Sequence, residues 1–166
     1  MKNAHIRIRN AKSEDLDEIM EIYRRARLFM AESGNPSQWG GEYPSRNLLE
    51  QDILHSRLFV CEKEEILGVF AFIIGEDPTY LKIDGKWLND EPYGTIHRIA
   101  SSGASRNITS ICIDWCSQYS SNLRCDTHED NKIMQHLLEK NDFKRCGIIY
   151  LANGSPRIAY QRVQGY

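Results

Sequence analysis

The sequence predicts a mixed α/β (α+β) fold in one domain, residues 1–166, with a central sheet of six to seven strands flanked by about four helices. Three observations carry this expectation. Strand-like alternation and apolar residues at helical spacing succeed one another in the order β-α-α-β-β-β-α-β-α-β-β, with no internal linker and no repeat. The run Ile66-Leu67-Gly68-Val69-Phe70-Ala71-Phe72-Ile73-Ile74 is apolar on both faces, as the centre of a sheet requires. Residues 95–119 read as a strand, a small-residue loop centred on Gly103, and a helix.

Composition narrows the class of protein. A chain of 166 residues is long enough to bury a sizeable core, and 41% hydrophobic with 27% charged residues fits a soluble globular domain. The net charge of −2 and the lack of a basic run argue against nucleic acid as a partner. No apolar segment approaches transmembrane length. The opening Met-Lys-Asn-Ala-His-Ile lacks the apolar region of a signal peptide, so a cytoplasmic location and no membrane partner are expected. Cys61, Cys112, Cys116, Cys125 and Cys146 are odd in number and unpaired in spacing. Cys112 and Cys116 fall on one apolar helix face and read as core. The Cys and His residues are too scattered for a zinc site, so no metal is expected.

The elements follow in order. Ile6 and Ile8 suggest a short first strand. Ser13 is a plausible N-cap for a helix whose stripe is Leu16, Ile19, Met20, Tyr23, Ala26, Phe29 and Met30, ending at Gly34. Residues 34–44 are rich in turn formers yet carry Trp39 and Tyr43, which read either as outer caps of the core or as the wall of a ligand cleft. Pro44 is expected to begin a second helix with Leu48, Leu49, Ile53 and Leu54 inward. Residues 57–61 and 66–74 form two strands across a Glu-Lys-Glu-Glu turn, and Gly68 is expected to mark a bulge. Residues 75–93 are irregular, with Asp77-Pro78 and Asp84-Gly85 as turns and Trp87 and Tyr93 exposed-looking. After the 95–119 stretch come a strand at 122–127, a helix capped by Asp130 with Ile133, Met134, Leu137 and Leu138 inward, and a final hairpin of 146–151 and 157–163 across Asn153-Gly154.

The 95–119 stretch is also a candidate anion site. The first N–H groups of a helix have no intrahelical partner, and the helix dipole places partial positive charge beside them. A phosphate suits such a place.

The element order, with its glycine loop after the fourth strand, resembles the GCN5-related N-acetyltransferase (GNAT) superfamily over essentially the whole chain. Local matches are Ile6-Arg7-Ile8-Arg9-Asn10-Ala11, Leu58-Phe59-Val60, Leu67-Gly68-Val69 and Ile96-His97-Arg98-Ile99-Ala100. The block from Asp126 through Asn131 to Phe143 is similar to the family's asparagine, helix and glycine-phenylalanine pattern, with Asp142 in the glycine's place. The resemblance implies a GNAT fold, acetyl-CoA as co-substrate, and transfer of its acetyl group to an amine. It implies pantetheine contacts near Ile99, Ala100 and Ser101, pyrophosphate on the N–H groups of Gly103, Ala104, Ser105, Arg106, Asn107 and Ile108, and a cofactor contact at Asn131. Two departures stand out. The loop holds one glycine where the family usually has more. Leu138 falls where many members carry a tyrosine as general acid, for which Tyr150 is the candidate substitute.

Amide formation from a thioester needs a neutral amine, a polarised carbonyl and a proton for the thiolate. Histidine suits deprotonation near neutral pH, so His97, on the strand beside the expected thioester, and His128, after the fifth strand, are candidate bases. Each reads alternatively as a hydrogen-bonded structural residue. Asp126 is expected to orient His128 or a loop, and Glu42 and Asp90 are further acceptor-site candidates. Trp39, Tyr43 and Tyr93 are expected to line a partly apolar acceptor pocket, which favours a small or amino-acid-like primary amine. The departures keep a second reading open, a GNAT-like module that binds CoA or a metabolite without turnover. A homodimer is also left open.

Overall fold

Strand β1 (Arg7–Asn10) is followed by α1 (Leu16–Glu32), α2 (Arg46–Leu54), β2 (Leu58–Glu62) and β3 (Ile66–Ile74). A two-residue β4 (Asp84–Gly85) precedes β5 (Gly94–Ser101), α3 (Ile108–Ser117), β6 (Asn122–Thr127), α4 (Lys132–Lys140), β7 (Lys144–Tyr150) and β8 (Pro156–Val163). The computed structural model describes residues 5–164; the first four residues of the stretch read above for a leader lie outside them. The strands make one sheet in the order β1-β2-β3-β5-β6-β8-β7-β4, eight strands where six or seven were expected. The addition is β4, where the Asp84-Gly85 turn signal pairs with Ile148 and Gly147.

Alternation along β2 and β3 divides the core. Leu58, Val60, Val69 and Ala71 face Leu16, Ile19, Ile22 and Tyr23 of α1 and Leu49 of α2. Cys61, Phe70 and Phe72 face the other way, onto Ile108, Cys112, Ile113 and Cys116 of α3 and Leu138 of α4. Helices therefore cover both faces of β3, which accounts for its uninterrupted apolar run. Cys112 and Cys116 lie in this core, and the cysteines are free thiols.

Several boundaries shift for local reasons. Ser13 opens a 3-10 turn (Ser13–Asp15), and α1 starts one residue beyond Asp15. Helix α2 starts two residues after Pro44, because Ser45 Oγ accepts the Leu48 N–H at 3.2 Å. Asn131 rather than Asp130 caps α4, its Oδ1 accepting the Met134 N–H at 3.0 Å. At the other end of α4, Phe143 N–H reaches Leu138 O and Asp142 N–H reaches Glu139 O, a double closure that needs a left-handed residue; Asp142 supplies it at φ 68°. Trp87 and Tyr93 are buried, not exposed: with Tyr80, Ile149 and Ala159 they form a third apolar cluster. The charge of Arg124 lies 4.0 Å from the centre of each of those two rings, so a cation–π sandwich holds them inward.

Among the described residues, no helix is long and apolar enough to cross a membrane, and no group of three or more His, Cys, Asp or Glu could hold a metal ion.

The register slip between β2 and β3 falls at Cys61/Glu62, so the bulge sits beside Gly68. Gly68 has a separate duty. A Cβ there would lie 2.6 Å from Ile108 Cγ2 and 3.2 Å from the Ala100 carbonyl, so only glycine lets the first residue of α3 pack onto β3. Gly68→Ala is expected to lower stability by about 1–3 kcal/mol through overpacking, measured as a lower urea midpoint with unchanged slope. An unchanged midpoint would show that α3 does not seat there.

Candidate active site

Among the described residues, strands β5 and β6 are the only parallel neighbours in the sheet, and they pair only at Gly94–Leu123 and Thr95–Arg124 before diverging. On its other side β5 carries a bulge. Ala71 pairs with His97 and Val69 with Ala100, so Arg98 and Ile99 both stand opposite Phe70. Arg98 takes φ 54°, its carbonyl accepts the Tyr23 hydroxyl at 2.8 Å, and its guanidinium pairs with Asp52. That pair is nearly removed from water, with side-chain exposures of 9% and 5%.

Two clefts open where the strands part. The first, about 650 Å³, is lined by Asp77, His97, Asp126 and Arg157 together with Trp39 and Tyr43. The second, about 440 Å³, runs past Ala100, Ser101 and Gly103 between α1 and α4. Phe29, which the helical stripe would place in the core, is exposed and lines this second cleft. The clefts share Met30, Trp39, Ile99, Asn131 and Met134 as a common wall, so one continues into the other.

His97 Nε2 lies 2.9 Å from Asp77 Oδ2. Burial alone raises the Asp77 pKa, but the His97 hydrogen bond and charge, with the Thr79 N–H, outweigh it and hold the carboxyl below its ordinary value. Asp77 Oδ1 accepts that Thr79 N–H at 2.9 Å, and the Asp77 N–H donates to the Tyr93 hydroxyl at 2.7 Å. An ionised carboxylate can only accept. In the neutral imidazole the proton therefore sits on Nε2, leaving Nδ1 as the basic nitrogen. From the third apolar cluster, the buried Tyr80 donates to Asp126 Oδ2 at 2.6 Å. Burial and then the Asp126 charge push the Tyr80 phenol well above its usual pKa, so it remains a donor. Cys125 also lines the first cleft, its Sγ 3.8 Å from the Asp126 carbonyl, with burial and then the Asp126 charge raising its pKa.

The α1–α2 connection lines the first cleft. Gln38 fixes it: Oε1 accepts from Asn35 Nδ2 at 2.8 Å, Asn131 Nδ2 at 2.9 Å and Thr127 Oγ1 at 3.5 Å, while its carbonyl accepts from Arg157 at 3.1 Å. The Trp39 ring stands edge-on to Tyr23 at 5.7 Å.

In the second cleft the loop differs from its sequence reading. Gly103 and Ala104 N–H groups are taken by the Ser101 and Ser102 hydroxyls, at 3.1 and 3.2 Å. Asn107 precedes α3 at φ 67° and gives it no side-chain cap. The first intrahelical bond is Ile111 N–H to Asn107 O at 2.9 Å, so Ile108, Thr109 and Ser110 N–H groups have no partner within the helix.

The structure brings some predicted residues together and not others. His97, Trp39 and Tyr43 share the first cleft, and Ile99, Ala100, Ser101, Gly103 and Asn131 line the second. His128 lines neither; its Nδ1 accepts the Asp130 N–H at 3.0 Å and closes the turn before α4. Tyr150 is exposed at the sheet's far edge, donating to Asp84 Oδ2 at 2.8 Å. Tyr93 belongs to the third cluster and touches the site only through its bond to Asp77. Glu42 and Asp90 are exposed and line neither cleft, and Leu138 is fully buried. Asp77, Gln38 and Arg157 were not singled out as site residues. Asp77-Pro78 reads only as a turn, and nothing local ties it to a histidine twenty residues on.

The chain is similar to an acetyltransferase of the GNAT family from Streptococcus agalactiae, with 35% identity, covering 97% of this chain and 96% of that one, at a TM-score of 0.87. A GNAT-family acetyltransferase from Listeria monocytogenes shares the fold at 20% identity, 95% and 94% coverage and a TM-score of 0.69. So does a phosphinothricin acetyltransferase from Sinorhizobium meliloti, solved in complex with AcCoA, at 14% identity, 96% and 89% coverage and a TM-score of 0.64. No family model matches the sequence, and no curated protein matches it. With more than a third of its residues identical to the streptococcal protein over nearly the full length of both, the chain belongs to the GNAT superfamily of N-acetyltransferases.

Proposed function

We propose that the chain moves an acetyl group from acetyl-CoA to the primary amine of a small, amino-acid-like molecule, by direct attack in a ternary complex. The observation that carries this reading is the meeting of the two clefts at the β5–β6 divergence. A cavity bearing a histidine and two carboxylates opens directly onto one that runs to an uncapped helix start.

The second cleft fits the co-substrate. A Cβ on Gly103 would meet nothing within 4 Å, so the loop leaves open space beside the partnerless N–H groups of α3. Ile99, Ala100 and Ser101 offer backbone polar groups along the cleft, and Ala104, Ser105, Arg106 and Asn107 complete the loop. Asn131 borders both clefts. Acetyl-CoA bound there supplies an activated acyl group. His97 supplies the base: Asp77 holds Nε2–H, and Nδ1 takes the amine's proton as the carbon–nitrogen bond forms and the carbon–sulfur bond breaks. The imidazolium then holds the proton that the departing sulfur needs. Asp126, anchored by Tyr80, attracts the acceptor's ammonium, with Trp39 and Tyr43 as walls. His128 and Tyr150 take no part, being committed to the Asp130 turn and to Asp84. Leu138, buried at the family's tyrosine position, favours the second reading, a CoA-binding module without turnover.

Calorimetric titration with acetyl-CoA and a thiol-release assay across amines separate the two readings. Binding with release supports transfer, binding alone supports the module, and no binding at high micromolar concentration overturns both. His97→Gln is expected to lower kcat/KM by about 10²–10⁴-fold while acetyl-CoA affinity holds; undiminished turnover would remove His97 as base. Gly103→Val, forced to adopt φ 88°, is expected to weaken acetyl-CoA binding about tenfold, the ratio that about 1.4 kcal/mol gives. Unchanged affinity would refute the loop as the phosphate site.

Asp77→Asn tests the pairing through pH. The folded-state pKa of Asp77 is depressed, so its contribution is present above the unfolded value and is lost as pH falls through the folded one. The mutant is expected to be less stable than wild type at pH 7, with the gap closing toward pH 3. A gap independent of pH would show that the ionised pair does not contribute.

A further inference from the structure

Arg157, the second residue of β8, lines the first cleft and is 6% exposed. Nη1 donates to Ser155 Oγ at 2.6 Å and to the Pro156 carbonyl at 2.8 Å, and Nη2 donates to the Gln38 carbonyl at 3.1 Å. All three acceptors are neutral. A guanidinium has five N–H donors, so two remain after these three bonds. Among the described residues no carboxylate lies within ion-pair distance; the arginines that have one are 7, 9, 24, 25, 46 and 98. Two other withdrawn guanidiniums are compensated, Arg98 by Asp52 and Arg124 by the faces of Trp87 and Tyr93. Arg157 has neither. Burial pulls its pKa down, and the more distant Asp126 and Tyr43 offset only part of that.

A buried cation is costly without an anion, and a planar guanidinium with free donors matches a carboxylate in both charge and shape. The same cavity holds Asp77 and Asp126, so it offers carboxylates and a cation within about 650 Å³. That polarity fits a molecule with an amine at one end and an anion at the other. A simple alkylamine leaves the cation uncompensated, and a polyamine adds charge of the wrong sign.

We infer that Arg157 receives a carboxylate of the acetyl acceptor, so that the acceptor is a small aminocarboxylate. This rests on the transferase reading, and it adds a specificity residue from β8 to a site otherwise built from β5, β6, the start of α4 and the segments after α1 and β3. The Gln38 bond gives the acceptor carboxylate a second effect, since the anion and the carbonyl that secures the connection share one guanidinium.

Paired probes test it: leucine with isoamylamine, phenylalanine with phenethylamine, lysine with cadaverine, and 4-aminobutyrate with propylamine. Thiol release with acetyl-CoA gives kcat/KM for each, and calorimetry in the presence of CoA gives affinity without turnover. In wild type at least one acid is expected to exceed its amine by about 10- to 100-fold, the range of a charge-assisted bidentate bond. Arg157→Met is expected to bring that ratio within about threefold of one, and Arg157→Lys to restore part of it; thermal unfolding confirms that both variants fold. Equal use of acids and amines by wild type, or a parallel fall for both in Arg157→Met, overturns the inference while transfer stands. If no probe is acetylated but acids still bind more tightly than amines in wild type and not in Arg157→Met, transfer fails and the carboxylate site stands. No turnover together with no difference in affinity overturns both.

Discussion

Two parallel strands that hold hands for two residues and then separate determine nearly everything else about this molecule. A sheet that opens exposes backbone polar groups and apolar side chains at its own centre, which is unfavourable unless the opening is held on every side. Here β3 holds β5 from one side and β8 holds β6 from the other, each along six registered residue pairs. The bulge at Arg98 and Ile99 bends β5 at the level where the gap begins. The Arg98–Asp52 pair and the Tyr23 hydroxyl secure that bend from the α1–α2 side. Such a pair gives little net stability over a well-packed apolar substitute, but losing one partner strands the other charge, at a cost of about 3–5 kcal/mol. The bend is thus protected by the expense of undoing it.

The opening is then divided by charge. One side collects carboxylates, a histidine and an arginine. The other side is predominantly apolar until it reaches the start of α3, where helix geometry leaves donors without partners. The boundary between the two is the wall formed by Trp39, Ile99, Asn131 and Met134. Asn131 spans it, capping α4 with its oxygen and reaching Gln38 with its nitrogen.

How much of this the sequence disclosed follows from the range of the interactions. Periodicity is local, so α1, β3, α3 and α4 could be read, along with the loop-to-helix order of the 95–119 stretch. The cap of α4 was missed by one residue because Asp130 and Asn131 are both competent caps, and only the fold decides which backbone angle suits. Trp87 and Tyr93 looked exposed because polar and turn residues surround them; their burial depends on Arg124, some thirty residues later. The same reason hid Asp77 and Arg157. His97 is visible as a histidine on a strand, yet the carboxylate that fixes its tautomer arrives from a turn. Tyr150, the candidate substitute for the missing acid, stands exposed on β7, and only the sheet order shows that β8 separates it from β6.

The thiol in the wall of the first cleft bears on side reactions. Sulfur competes with nitrogen for an activated acyl group only as thiolate. Cys125 is 5% exposed, and both its burial and the neighbouring Asp126 favour the protonated form. The Asp126 carboxylate thus adds to the burial that keeps this sulfur protonated. Burial first and the neighbouring negative charge second keep this small, well-packing cysteine a poor nucleophile in the cleft wall.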